Sequence, residues 1–210
     1  MTIWQDLSVP LIAPLVRDNG EKQNELKLGM ITRSQHKAIL DDSGDDKWSI
    51  YRELIILGAG LSDKELDKLT GPDFNSLCQQ ADLAYGQGSE YWFDRLVWGG
   101  LSKAKQKAAQ EEYQAVDKLP LLIPLDTVVH GHIDTIPLTL PTVGVMNAMY
   151  QLDEDKQETF ITQHVSGLSA DELGELSVPD GKSLQLKVSD FLSKTGDHFS
   201  ARKISKSSPT

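Results

Sequence analysis

Apolar and polar residues along this chain follow one order of patterns, and the order occurs twice. The first occurrence opens with Val9-Pro10-Leu11-Ile12-Ala13-Pro14-Leu15-Val16, turns at Asp18-Asn19-Gly20 and returns through Leu26-Lys27-Leu28. The second opens with Leu121-Leu122-Ile123-Pro124-Leu125, runs through Val128-Val129, turns at His130-Gly131-His132 and returns as Ile136-Pro137-Leu138-Thr139-Leu140. An apolar run, a glycine turn and a return strand predict a β-hairpin each time, with the glycine supplying the positive φ that tight turns need. Helical spacing then takes over. Thr142 reads as an N-cap before Val143, Met146, Met149 and Tyr150, which recur every three or four residues on one face. Ser34 holds the same place before Ala38, Ile39 and Leu40. Further helices are predicted over 48–57, from Ile50, Tyr51, Leu54, Ile55 and Leu57, and over 156–165, from Phe160, Ile161 and Val165.

The match is tightest downstream. Ten residues recur at one fixed offset of 107 positions, as 168 lies from 61 and 184 from 77: Gly60/Gly167, Leu61/Leu168, Ser62/Ser169, Glu65/Glu172, Leu66/Leu173, Leu69/Leu176, Pro72/Pro179, Asp73/Asp180, Ser76/Ser183 and Leu77/Leu184. Most of them are helix punctuation. Serine followed three residues on by glutamate is a capping box, and the leucines before and after it are placed as a hydrophobic staple. The prolines open a further helix at its first turn, where a missing N–H does no harm. Asp73 and Asp180 stand where a carboxylate favours the helix dipole. The last helix carries apolar stripes at Leu77, Ala81 and Ala84/Tyr85, and at Leu184, Val188 and Phe191/Leu192. About five extra residues in the first copy fall at Asp41-Asp42-Ser43-Gly44-Asp45-Asp46, read as a solvated acidic loop that lacks the ligand order of a calcium loop.

These patterns predict an α+β, mainly helical protein of two homologous units, each a β-hairpin followed by several short helices. The first unit covers 1–86 and the second 119–193. Between them, 87–118 holds an aromatic cluster, a Gly99-Gly100 break and an exposed spacer helix from Ser102 to about Val116. Residues 194–210, poor in apolar side chains, read as a disordered tail.

Charge and composition narrow the function. With 21 basic and 31 acidic side chains the net charge is −10, which opposes nucleic-acid binding. No apolar run approaches a membrane span, and the first residues carry no basic segment followed by an apolar one. The single cysteine, Cys78, excludes an internal disulfide and suits a reducing cytoplasm. No nucleophile elbow, phosphate-cradling loop or dinucleotide fingerprint is present. The one metal-like motif is His130-Gly131-His132-Ile133-Asp134, where alternate residues on a strand could converge on a cation. It resembles the start of the metallo-β-lactamase signature but has Thr135 at the sixth position, so an exposed hairpin turn is the favoured reading and a metal-dependent hydrolase the minor alternative. No catalytic residue, cofactor or metal is expected. The aromatic cluster Tyr91, Trp92, Phe93 and Trp98 reads first as core, or as the docking of one copy on the other; with Met146 and Met149 it is also the candidate partner surface, because interfaces are rich in such residues.

The second copy as a whole resembles the tail assembly chaperones of contractile- and long-tailed bacteriophages, the group of the E-, 41- and 14-type tail proteins. The resemblance lies in Leu121–Leu125, in Leu138-Thr139-Leu140-Pro141-Thr142-Val143-Gly144 at the start of a helix, and in Gly167-Leu168-Ser169 through Leu176 to Pro179-Asp180. It departs at Val145, where the family has an acidic residue, and the chain is about twice the family's length. The resemblance implies a non-enzymatic protein of the host bacterial cytoplasm. Such a protein coats the long helical tape measure protein and leaves as tail-tube subunits polymerise. It also implies the tape measure protein, and with it the tail tube protein, as partners; a homo-oligomer is compatible. A structural virion protein of the baseplate or tail is the alternative from the same setting.

Overall fold

The computed structural model describes residues 2–200. It is α+β and mainly helical, with two small antiparallel hairpins and eleven α-helices among the described residues. They divide into two compact units. The N-terminal unit contains 4–87 with Ser177–Pro179, and the C-terminal unit contains 2–3, 88–176 and 180–200.

In the N-terminal unit, strand β1 (Leu7–Val16) pairs with β2 (Lys22–Leu28), Leu7 opposite Leu28 and Val16 opposite Lys22. The register shifts between Pro10 and Leu15. Pro10 and Pro14 have no N–H to give a ladder, so the strand bulges between them. Gly20 makes the turn at φ 85°. Four helices follow: α1 (Arg33–Ser43), α2 (Lys47–Ala59), α3 (Asp63–Leu66) and α4 (Gly71–Gly86). Val9, Leu15 and Leu26 from the hairpin pack with Ile55, Leu61, Leu66, Phe74 and Leu77 in one buried core.

The C-terminal unit begins with α5 (Ser89–Leu96), a 3₁₀ turn (Trp98–Gly100) and α6 (Lys103–Tyr113). Strands β3 (Lys118–Thr127) and β4 (Gly131–Pro137) form its hairpin, with the register shifting between Pro120 and Leu125. Then come α7 (Val143–Tyr150), α8 (Glu154–Ser166), α9 (Ala170–Glu175), α10 (Val178–Ser193) and the short α11 (Gly196–Ser200). Both ends of α8 lie 107 positions beyond those of α2, and both ends of α10 lie 107 beyond those of α4. Gly60 and Gly167, which end α2 and α8, are both left-handed (φ 60° and 72°). Both capping boxes are formed, by Ser62 with Glu65 and by Ser169 with Glu172.

Several expectations are corrected. The N-cap of α1 is Thr32, which forms a capping box with Gln35; Ser34 lies inside the helix. Asp41 and Asp42 are in the last turn of α1, and Asp46 caps α2 by accepting from the Trp48 N–H, so the acidic segment is mostly helix ends. The second hairpin turns at Val128-Val129-His130 rather than at 130–132, which leaves Val128 and Val129 on the exposed tip instead of in a strand. The aromatic segment and α6 belong to the C-terminal unit; α6 ends at Tyr113 rather than near Val116, is mostly exposed with Gln106, Ala109 and Gln110 half-buried, and is followed by the buried Ala115 and Val116. Of the segment expected to be disordered, 196–200 is helical, and 201–210 lie outside the described residues.

Candidate functional site

The recurring polar residues do more than cap helices: they fasten each hairpin to the helices behind it. Asp73, 2% exposed, accepts from the Ile12 N–H inside the β1 bulge (2.8 Å) and from the Thr70 hydroxyl (2.7 Å). Asp180, fully buried, accepts from the Leu122 N–H (3.0 Å) and the Ile123 N–H (3.4 Å) inside the β3 bulge. A bulge strands backbone donors that the ladder cannot take, and a buried carboxylate satisfies them with strong, charge-assisted bonds. Burial pushes the Asp73 carboxyl up, but the Ile12, Thr70 and Ala13 donors outweigh it and hold the pKa below the ordinary aspartate value. The capping-box glutamates reach the hairpin turns. Glu65 accepts from Asp18 N–H (2.7 Å) and pairs with the Arg17 guanidinium (3.0 Å). The Ser62 and Asp18 N–H groups keep its pKa low. Glu172 accepts from Ser169 N–H (2.8 Å) and stands 4.0 Å from the His130 imidazole. The sequence expectations missed these fastenings, although one signal marks their place: both bulges read Pro-Leu-x-x-Pro-Leu, at 10–15 and 120–125.

The C-terminal unit carries an open groove of about 520 Å³ between α7, α8 and α10. Its floor is apolar: Met149, Ile161, Val188 and Leu192. Tyr150, 60% exposed, stands at the α7 edge. Glu154 and Glu158, one turn apart on α8, form an acidic edge, and no lysine or arginine is among the lining residues. The Gln185 amide donates to Glu158 (2.5 Å) and ties α8 to α10. Thr142 caps α7 by accepting from Val145 N–H.

At the matching offset the N-terminal unit is built differently. Tyr51 takes the place of Glu158, Cys78 that of Gln185 and Asp82 that of Ser189. The Tyr51 hydroxyl donates to Asp82 (2.6 Å), joining α2 to α4, and its pKa is pushed up to about 12, first by that bond and then by burial. The Trp48 ring lies 4.7 Å from the Phe74 ring beside it. Cys78 is half-buried, and burial with the nearby Asp82 charge pushes its thiol to about 11.

The expected partner surface is mostly interior. Trp92 is fully buried, and Phe93, Trp98 and Met149 are 6%, 4% and 4% exposed. Phe93, Trp98 and Tyr113 pack ring on ring, with centroids 5.3–5.8 Å apart. The Tyr113 hydroxyl shares a 2.6 Å hydrogen bond with Ser89. Lys187 donates to the carbonyls of Tyr113, Ala115 and Lys118, satisfying the end of α6. The aromatic cluster is therefore the core of the C-terminal unit, since rings that find one another bury more area than rings held out to solvent. Only Tyr91 remains exposed, while Met146 is half-buried on α7 and Met149 joins the groove floor. The histidine motif does not converge: His130 is in the turn, and His132 bonds instead to Asp126 across the hairpin (2.7 Å). Among the described residues no three of His, Cys, Asp and Glu stand together as a metal-binding group, and no helix is long and apolar enough to cross a membrane.

Compared with protein-family models, with curated proteins and with solved structures, the chain finds no match.

Proposed function

We propose that this protein is a non-enzymatic tail assembly chaperone of a phage or prophage. It holds the tape measure protein in the host bacterial cytoplasm until tail-tube subunits enclose it. The observation that carries this reading is the groove of the C-terminal unit, whose α7 wall opens with the family-like Pro141-Thr142-Val143-Gly144 segment. A groove with an apolar floor and a polar edge is how helical surfaces accept another helix. A single groove of this size holds a short apolar stretch weakly, which suits a coat that must later be shed. In this reading the C-terminal unit is the holding module.

Co-expression with a candidate tape measure protein tests the proposal. The expected result is that the tape measure protein moves from the pellet to the soluble fraction and co-purifies with this chain, and that mature particles lack it. A tape measure protein whose solubility is unchanged, with this chain present in mature tails, would favour a structural virion component instead.

A further inference from the structure

We infer that the groove between α7, α8 and α10 takes one amphipathic helix with a basic flank. The apolar floor of Met149, Ile161, Val188 and Leu192 needs an apolar stripe opposite it. An extended peptide could supply that stripe but would strand its own N–H and C=O groups there, because α8 and α10 keep their backbone hydrogen bonds to themselves and offer no strand edge. A helix arrives with its backbone already paired and presents side chains every three and four residues.

The charge of the occupant follows from the edge. Glu154 and Glu158 are four residues apart on one helix, so their carboxylates are spaced by a single turn. Lysines or arginines at i and i+4 on an incoming helix repeat that spacing. No lysine or arginine is among the lining residues, and the net charge of −10 favours approach of a basic segment. Discrimination against an acidic flank follows from the same edge, because like charges brought together at an interface are disfavoured. Tyr150 at the α7 edge supplies an aromatic side chain of the kind that anchors helix-in-groove contacts.

The natural client in this inference rests on the tail-assembly reading, but the binding chemistry is tested without it. Two fluorescent helical peptides of ~18 residues, about five turns, share one leucine stripe and differ only in carrying lysine or glutamate on the flank. Binding to the full-length protein is read by anisotropy at low salt. The expected result is at least about tenfold tighter binding of the lysine peptide. Glu154→Lys/Glu158→Lys should reverse the order. Ser189→Arg, at an exposed lining position where folding is spared, should weaken the lysine peptide by a similar factor. Far-UV circular dichroism checks each variant's fold. Equal binding of both peptides by the parent protein, or binding unmoved by both variants, overturns the inference. The two readings fail separately. A soluble tape measure protein with unaffected groove variants sinks the groove and spares the chaperone. Peptide discrimination at the groove, with no effect on any tape measure protein, does the reverse.

Discussion

The α2–α4 pair of the N-terminal unit and the α8–α10 pair of the C-terminal unit have equal helix lengths, left-handed glycines after α2 and α8 and buried aspartates in the first turns of α4 and α10. They differ in what lies between the helices. A side-chain hydrogen bond joins each pair, Tyr51 to Asp82 in one and Gln185 to Glu158 in the other, but only the second pair borders an open, apolar-floored groove. A frame held by buried hydrogen bonds tolerates change at Glu158, Gln185 and Ser189, because these three are exposed or half-buried and carry little of the folding energy. Binding can therefore be lost or acquired at three positions without disturbing the fold.

The largest expected effect lies in the frame. Asp180→Ala removes the acceptor of two backbone donors in the β3 bulge and leaves a cavity, so it should cost about 3 kcal/mol in urea unfolding. Asp73→Ala should cost the same order, since the Ile12 N–H depends on it in the same way. A loss confined to one of the two would break the equivalence of the frames.

Acid should weaken the frame next. Glu65, Asp73 and Glu172 are held below their ordinary values of 4.5, 3.8 and 4.5. A depressed folded-state pKa means that the unfolded chain takes up protons first. The stability these carboxylates contribute is complete above the ordinary values and is lost as pH falls through the lower, folded ones. Thermal melts should thus be flat from pH 7 to about 5.5 and fall steeply below about pH 4. In Asp73→Asn that fall should be shallower.

The lining can be exchanged. Glu158→Tyr with Ser189→Asp should rebuild the Tyr51–Asp82 bond in the C-terminal unit and weaken the lysine-flanked peptide about tenfold or more. Tyr51→Glu with Asp82→Ser should open the N-terminal pair and raise the binding stoichiometry towards two. A stoichiometry that stays at one after the second exchange would show that the two exchanged positions are not sufficient. The smallest effect is that of Tyr51→Phe, which removes one part-exposed hydrogen bond and should cost about 1 kcal/mol or less.

Much of the frame was legible in the chain. Ser62/Glu65 and Ser169/Glu172 announce capping boxes because a cap is a short-range arrangement of residues three apart. Gly20, Gly60, Gly131 and Gly167 mark positions where the backbone takes positive φ. The offset of 107, read from ten residues, coincides with the offset of whole helices. What misled was local plausibility. Ser34 looks as good a cap as Thr32, and the choice falls to Thr32 because Gln35 returns the second hydrogen bond. Val128 and Val129 have strand propensity, yet pairing of Thr127 with Gly131 puts them in the turn.

The sequence by itself determined which glycines turn the chain and where the Ser62/Glu65 and Ser169/Glu172 capping boxes start a helix. These depend on contacts within a few residues. Only the tertiary structure decided what Asp73 and Asp180 do, 61 and 58 residues away from Ile12 and Leu122. It also decided that Trp92, Phe93 and Trp98 are core and that the space beside Glu158 and Ser189 is open. Burial and cavity are properties of how distant segments pack, and the same tryptophan or glutamate has one local pattern whether a neighbour covers it or not.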